Sequence, residues 1–399
     1  MNSNNSRLYV VDTLRGFAIV AIMLLHNLEH FDVYFLPPNL PDWMVKLDKH
    51  LWDSLFFLFA SKSYSIFALL FGLTFFIQSK NQERKGKDFR GRFAWRLILL
   101  FGFGLFNSFF FQGDILTIYA VIGFLLIPVA RLSNRWLVSI ALVILLQPLE
   151  WSGLIKAIQN PSMELSNPLS WTYFGKMQEY ITHSSIINTW IGNITNGKKA
   201  VLLWNWENGR FFIIYAMFLL GLVAGRKELF VTSESSNRFW TRVLIIAACS
   251  AIILYPIKIT LPGWIESAAI KRSVTTIFNP WPDIALMLVW VSGIVLLFQK
   301  QAFKKFFTLF VPLGKMSLSN YVMQSILGST IYYGYGLAMY KYAGSTYSLA
   351  IGLLLTLITG LFCHWWAKRY KHGPLEGIWH KLTWLNLPSR SPQRTRSVA

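Results

Sequence analysis

Hydrophobic residues recur along this chain in long blocks separated by short polar gaps. A hydrocarbon layer about 30 Å thick calls for about 20 apolar residues in a helix. Apolar runs of roughly that scale occupy residues 10–31, 51–78, 94–112, 115–130, 136–149, 211–225, 243–259, 283–298, 316–335 and 347–366. They predict an all-α fold, a polytopic integral membrane helix bundle of about ten transmembrane helices. The basic gaps orient it. The dense Lys and Arg stretch at 80–96, then Arg131 and Arg135, Arg226 and Lys227, Lys300, Lys304 and Lys305, and Lys368, Arg369 and Lys371 all fall on one side of such a bundle. Positive charge accumulates on the cytoplasmic side, so a multi-pass protein of the cell (plasma or inner) membrane with both termini cytoplasmic is expected. Lys198-Lys199 and Lys271-Arg272 are the exceptions, in loops expected outside.

The pattern divides the chain into an N-terminal five-helix half (1–150), an external loop (151–208), a C-terminal five-helix half (209–387) and a Ser/Pro/Arg tail (388–399) expected to be disordered. The loop carries Trp151, Trp171, Tyr173, Tyr180, Trp190, Trp204 and Trp206. It reads either as a substrate-facing cap or as an aromatic belt at the interface.

Composition closes off other classes. With 54% hydrophobic and 14% charged residues and a mean hydropathy of +0.42, an ordinary soluble domain is excluded. The net charge of +20 sits in the gaps between apolar runs, so the expected partner is the lipid bilayer and no nucleic acid. Cys249 and Cys363 both lie inside apolar runs, which argues against a disulfide framework or a thiolate metal site. The first apolar run is interrupted by Asp12 and Arg15 and is followed by no small-residue cleavage site, so it is expected to remain as a span.

That first run, VVDTLRGFAIVAIMLLHNLEHF, holds Asp12, Arg15, His26, Glu29 and His30, each costly in hydrocarbon. At about 100° per residue, setting Asp12 at zero puts Arg15 near 300°, His26 near 320°, Glu29 near 260° and His30 near 0°, so the five share one face. At 1.5 Å per residue, Arg15 and His26 lie about 16 Å apart along the axis. One residue alone would read as snorkelling or as a wet rim. Five together predict an inward stripe along a hydrated passage.

Other polar groups lie at depth. Lys62, in SKSYSIFALLFG, needs a carboxylate or water, with Asp12, Asp53 and Asp114 as candidates, unless the run breaks at this polar cluster. Asp114 stands where it caps the fourth helix, a role compatible with orienting a histidine. Asn320, Tyr321 and Gln324 cluster within one turn and suit either helix-to-helix hydrogen bonding or a ligand. Lys315, with Arg92 and Arg96, offers cations for phosphates. No Gly-rich phosphate loop, zinc spacing or Ser-His-Asp order appears, and no metal is expected.

The spacing of Arg15 and His26 within VDTLRGFAIVAIMLLH resembles the arginine-ten-histidine signature of the acyltransferase-3 membrane proteins. It is similar also to the first helix of the heparan-alpha-glucosaminide N-acetyltransferases. KSYSIFALLFG, GDILTIYAVIG, GKMSLSNYVMQ and GPLEGIWHKLT resemble the YeiB-like bacterial proteins, which carry a C-terminal domain of unknown function numbered 418. Members of that family often have Asn at the position of His26 and a histidine at that of Phe106. The resemblance implies a transmembrane acyltransferase that moves an acyl group from cytoplasmic acyl-CoA, its co-substrate, to a hydroxyl or amine of a small-molecule, glycan or lipid acceptor. His26, Arg15, Asp12, Glu29 and Asp114 are then the expected catalytic group. Lys62, His30, Tyr119, Lys315, Asn320, Tyr321 and Gln324 are expected to bind substrate. A proton-coupled transporter and a membrane protein without turnover fit the same stripe.

Overall fold

A segment that must satisfy its own backbone hydrogen bonds in an apolar medium folds as a helix. Every regular element among the described residues is helical. The structure is a computed structural model and describes residues 8–35, 37–38 and 40–385; the tail at 388–399, expected to be disordered, lies outside them. In chain order the helices are α1 (Tyr9–Leu28), α2 (Asp42–Phe59), α3 (Lys62–Glu83), α4 (Arg90–Phe110), α5 (Leu116–Gly123), α6 (Leu126–Val129) and α7 (Asn134–Leu145). There follow α8 (Pro148–Gln159), α9 (Leu169–Ile181), α10 (Ile186–Gly192), α11 (Lys198–Glu207), α12 (Arg210–Arg226), α13 (Glu234–Thr260), α14 (Ala268–Phe278) and α15 (Pro280–Phe298). The chain closes with α16 (Gln301–Thr308), α17 (Val311–Lys315), α18 (Ser317–Tyr332), α19 (Ser345–Arg369) and α20 (Pro374–Thr383).

Among the described residues, seven helical stretches are long and apolar enough to cross a membrane: Tyr9–Leu28, Asp42–Glu83, Arg90–Phe110, Asn134–Gln159, Glu234–Gly263, Ala268–Phe298 and Ser345–Arg369. Ile186–Glu207 with Arg210–Arg226, bent by 72°, would be an eighth if the pair is one span. The ten expected runs differ for local reasons. The run at 115–130 is divided into α5 and α6, and the run at 316–335 yields a helix of 16 residues, about 24 Å long. The expected loop at 151–208 is helical over most of its length; Trp190 packs on Phe109 and Phe110 with ring centroids 5.8 and 5.6 Å away, whereas Trp151, Trp171 and Trp206 are exposed.

α1 is the central helix. Leu14, Ala18 and Met23 are wholly buried, and so are Thr13 and Asn27, so it is enclosed well beyond its polar stripe. Backbone meets backbone where it crosses its neighbour. A side chain on Gly16 would collide with the Phe310 carbonyl, and one on Gly314 of α17 with the Asp12 carbonyl. α3 and α12 cross in the same reciprocal way, with Gly72 against Phe218 and Gly221 against Leu69. Such close approaches are how helices pack where lipid is as apolar as the side chains.

α2 and α3 meet at a break. Ala60 is extended and Ser61 is left-handed, with φ 65°, which interrupts the helical ladder and frees carbonyl groups. Side chains recover several of them. The Ser63 hydroxyl donates to the Phe59 carbonyl at 3.1 Å, the Ser65 hydroxyl to that of Ser61 at 2.7 Å and the Trp290 indole N–H to that of Leu58 at 3.0 Å. The serines of SKSYS thus repair the break that the polar cluster makes.

Gly16→Val and Gly221→Val are expected to lower stability by about 1–3 kcal/mol or prevent folding, as overpacking does. Gly102→Ala and Gly293→Ala, where nothing lies within 4 Å of the added carbon, should be neutral or stabilising by up to about 1 kcal/mol. Melting of the four detergent-solubilised variants checks this.

Candidate functional site

Two cavities flank the middle of α1. The near cavity, about 330 Å³, holds Arg15, Arg96, Lys315, His372 and Glu376 among apolar walls that include Leu97, Leu100 and Tyr119. The far cavity, about 670 Å³, holds His26, Glu29, Asp32, Asp114 and Arg210, with Trp171 and Trp204 on its wall. Both are lined by Ile22, Tyr64, Ile115 and Tyr321. The stripe on α1 therefore does not line one open passage. It serves two cavities that abut at a wall of one layer of side chains. The wall is pinned: the Tyr321 hydroxyl accepts from the Ile115 backbone N–H at 3.3 Å, and the Tyr119 hydroxyl donates to the Tyr64 carbonyl.

Arg15 is set by its neighbours in the near cavity. Its guanidinium lies 3.1 Å from Asp12 Oδ1 and donates to the Thr74 hydroxyl, as the one-turn spacing from Asp12 leads one to expect. Arg96 stacks 4.1 Å from the Trp379 ring, and the Lys315 ammonium lies 5.3 Å from that of Tyr9. Arg92, grouped with these two from the sequence, instead donates to the carbonyls of Thr383 and Leu385 at 2.6 and 3.2 Å, where a cation suits the C-terminal end of α20. Glu376 is spoken for as well. It accepts from the backbone N–H groups of Leu318 and Ser319 at 2.8 and 3.1 Å and from the Ser319 hydroxyl. It satisfies the open N-terminus of α18. Burial pushes its carboxyl upward, and those hydrogen bonds hold it back.

His26 faces the far cavity, with Nδ1 3.4 Å from Glu29 Oε2 and its ring edge-on to Phe111 at 4.6 Å. Glu29 rather than Asp114 is thus the carboxylate beside the imidazole. Asp114 is wholly buried and bonds elsewhere: Oδ2 accepts from the Thr117 backbone N–H at 2.9 Å, Oδ1 from the Asn107 amide at 3.2 Å, and the Lys198 ammonium lies 3.3 Å away. The cap expected at α5 is present. The pairing also accounts for Lys198, an exception to the charge pattern, which is drawn inward by a buried carboxylate. Asp32 accepts from the Gln112 amide at 3.0 Å. Burial and the nearby Glu29 carboxylate push its carboxyl up to about 7, against the pull of His26 and Gln112.

His30 leaves the stripe. α1 ends at Leu28, and His30, Phe31 and Asp32 take left-handed φ values of 47°, 53° and 72°, so the helical projection fails beyond that point. The ring is buried, stacked on Tyr332 at 4.9 Å and bonded through Nε2 to the Ser348 hydroxyl at 2.8 Å. Lys62 departs too. Its ammonium lies 2.8 Å from Asp283 on α15, and none of Asp12, Asp53 and Asp114 is that partner; it lines neither cavity. Asn320 and Gln324 bond helix to helix. The Gln324 amide donates to Asn320 Oδ1 at 2.9 Å and to the Ile19 carbonyl at 3.2 Å, whereas Tyr119, Lys315 and Tyr321 do line a cavity.

Sequence reasoning did not single out Arg210, whose guanidinium lies between the rings of Tyr64 and Trp204 at 4.1 and 4.5 Å. Its only signal is position: it follows Gly209, which has φ 62°, at the start of an apolar run. Among the described residues no group of three or more His, Cys, Asp or Glu side chains is placed to hold a metal ion.

These features define the class: an all-helical protein built on helices of membrane-crossing length and apolarity, with a charged site buried around its first helix. Residues 224–386 match the family described as "Protein of unknown function (DUF418)". The chain is 29% identical to the uncharacterized protein YxaH of Bacillus subtilis (strain 168), over 96% of this chain and 95% of that one. It is 23% identical to the uncharacterized protein YeiB of Escherichia coli (strain K12), over 94% and 95%, and 21% identical to an uncharacterized 39.9 kDa protein of Bacillus acidopullulyticus, over 95% and 94%. No solved structure matches the chain. Its C-terminal region is a DUF418 domain, on a chain homologous to YxaH and YeiB over nearly its whole length.

Burial pulls the His30 imidazole down to about 4, opposed by the Val33 carbonyl and the charge of Asp48. An imidazole held neutral in the fold stabilises fully above about 6.5, its unfolded value, and that stability is lost as pH falls from there toward 4. Between pH 7 and pH 4.5 the parent protein should therefore lose about 2–3 kcal/mol more than His30→Gln. Melting temperatures at the two pH values measure the difference.

Proposed function

We propose that the chain is a membrane acyltransferase that carries an acyl group from cytoplasmic acyl-CoA in the near cavity to a hydroxyl or amine acceptor in the far cavity. The observation that carries the reading is the shared wall of Ile22, Tyr64, Ile115 and Tyr321. Two cavities back to back across one layer of side chains bring two substrates from opposite sides to within that layer of each other, and the acyl group passes where the layer parts. The cations of the near cavity suit the phosphates of a CoA ester, and the paired His26 and Glu29 of the far cavity suit a proton acceptor.

In this reading Glu29 holds the tautomer in which Nδ1 carries the proton, so Nε2 is the base. Nε2 takes the proton of the acceptor hydroxyl as its oxygen attacks the thioester carbonyl. The carbon–sulfur bond breaks, a carbon–oxygen bond forms, and the CoA thiolate leaves and is protonated. Glu29 stabilises the imidazolium while it lasts. Arg15, fixed by Asp12 and Thr74, faces the donor's carbonyl or phosphates.

Arg15→Gln is expected to weaken acyl-CoA binding by about tenfold or more. His26→Gln should leave binding intact and slow CoA release by about 10²–10⁴-fold. Titration of the detergent-solubilised protein with acetyl-, butyryl- and palmitoyl-CoA, followed by free-thiol assay, reads both. Absence of both binding and thiol release overturns the reading. Gradient-dependent solute movement in vesicles without acyl-CoA would put a transporter in its place.

A further inference from the structure

Away from both cavities, one carboxylate answers two ammonium groups. Lys62 opens α3, Lys258 lies near the end of α13, and each Nζ is 2.8 Å from the same oxygen, Oδ1 of Asp283. Asp283 cancels one positive charge and leaves the other. The cluster closes one end of a crevice of about 740 Å³ whose apolar lining includes Trp52, Phe57, Tyr255 and Ile259. Asp53, also on the crevice, is 2.8 Å from Lys49 and so brings no net compensation.

The crevice leads inward. A recess of about 250 Å³ shares Lys258 and Asp283 with it, and shares Tyr64, Trp204 and Arg210 with the far cavity. Arg210 adds a further cation along this line. Outward, the crevice borders α13, whose Ile245, Ile246, Ile252, Ile253 and Ile259 are all more than half exposed. An exposed row of branched apolar side chains along a helix of membrane-crossing length suits acyl chains. An excess cation set at the head of such a surface suits a phosphate at the headgroup.

We propose that this crevice binds the phosphate of an acidic membrane lipid between Lys258 and Lys62, with its acyl chains running from Ile259 along the exposed isoleucines of α13. It forms a lateral entrance to the far cavity. The site stands on charge and shape alone and does not require the chemistry assigned to His26.

The test is binding, read by native mass spectrometry and by thermal stabilisation of the full chain in a neutral detergent. The probes are phosphatidylglycerol, phosphatidylcholine and inorganic phosphate. Saturable binding of phosphatidylglycerol, with phosphatidylcholine at least fivefold weaker, is expected. Lys258→Gln, at a partly exposed position, should weaken it about fivefold, the worth of one cation near a lipid phosphate. Asp283→Asn works in the opposite direction: with the competing carboxylate gone, phosphatidylglycerol should bind more tightly and raise the variant's melting temperature more than the parent's. Equal binding of the two lipids, or parent affinity in Lys258→Gln, overturns the proposal. Inorganic phosphate binding as tightly as phosphatidylglycerol overturns the lipid as occupant. Acyl-CoA affinity in the near cavity is measured separately, so failure here leaves that reading intact.

Discussion

A helix that carries Asp12, Arg15 and His26 cannot be left facing an apolar solvent, and the architecture follows from that constraint. Each such group needs a partner or water, so α1 must be surrounded, and surrounding it demands that neighbours come to backbone distance. Gly16 and Gly314 make this possible on one side, and the Gly72 and Gly221 crossing holds the adjoining α3 and α12 together. Where the neighbours cannot close fully, around Arg15 and His26, the gaps become the two cavities. Enclosure and hollowness thus have one origin.

The DUF418 region and the candidate site divide the labour between them. Residues 224–386 include Asp283, Asn320, Gln324 and Glu376, and their bonds tie helix to helix or satisfy a helix end. Glu376 meets the N-terminus of α18, and Gln324 reaches the α1 backbone. Arg15, His26, Glu29 and Arg210 lie ahead of that region, yet Lys315 and Tyr321 from within it complete their cavities. The C-terminal part therefore supplies the frame and part of the wall, and the first helix supplies the charge.

The helical nature of the chain and the enclosure of its first helix were legible, because apolar blocks and misplaced charges are local properties. The one-turn pairing of Asp12 with Arg15 and the cap by Asp114 were legible for the same reason. Partners distant in sequence were not. Nothing near Lys62 points to Asp283, some 220 residues on, and no periodicity reveals that Arg210 slots between Tyr64 and Trp204. The helical projection placed His26 correctly and His30 wrongly because projection assumes a helix, and the backbone turns left-handed two residues after Leu28. The ten expected spans outnumber the seven helical stretches of membrane-crossing length among the described residues, because runs such as 115–130 and 316–335 continue past the point at which a helix stops.

The interruption between α2 and α3 bears on motion. Phe56, Phe59 and Ala60, on the α2 side of Ser61, line the far cavity, and Trp52 and Phe57 line the crevice beside it. α3, on the other side, is locked to α12 through its glycine contact. Rotation of α2 about the two non-helical residues Ala60 and Ser61 would have to break the bonds that Asp48 accepts from Thr346 and that the Leu58 carbonyl accepts from Trp290. The joint therefore sets the angle of α2 at the rim of the far chamber, and the neighbouring hydroxyls, which stand in for missing helical bonds, hold it there.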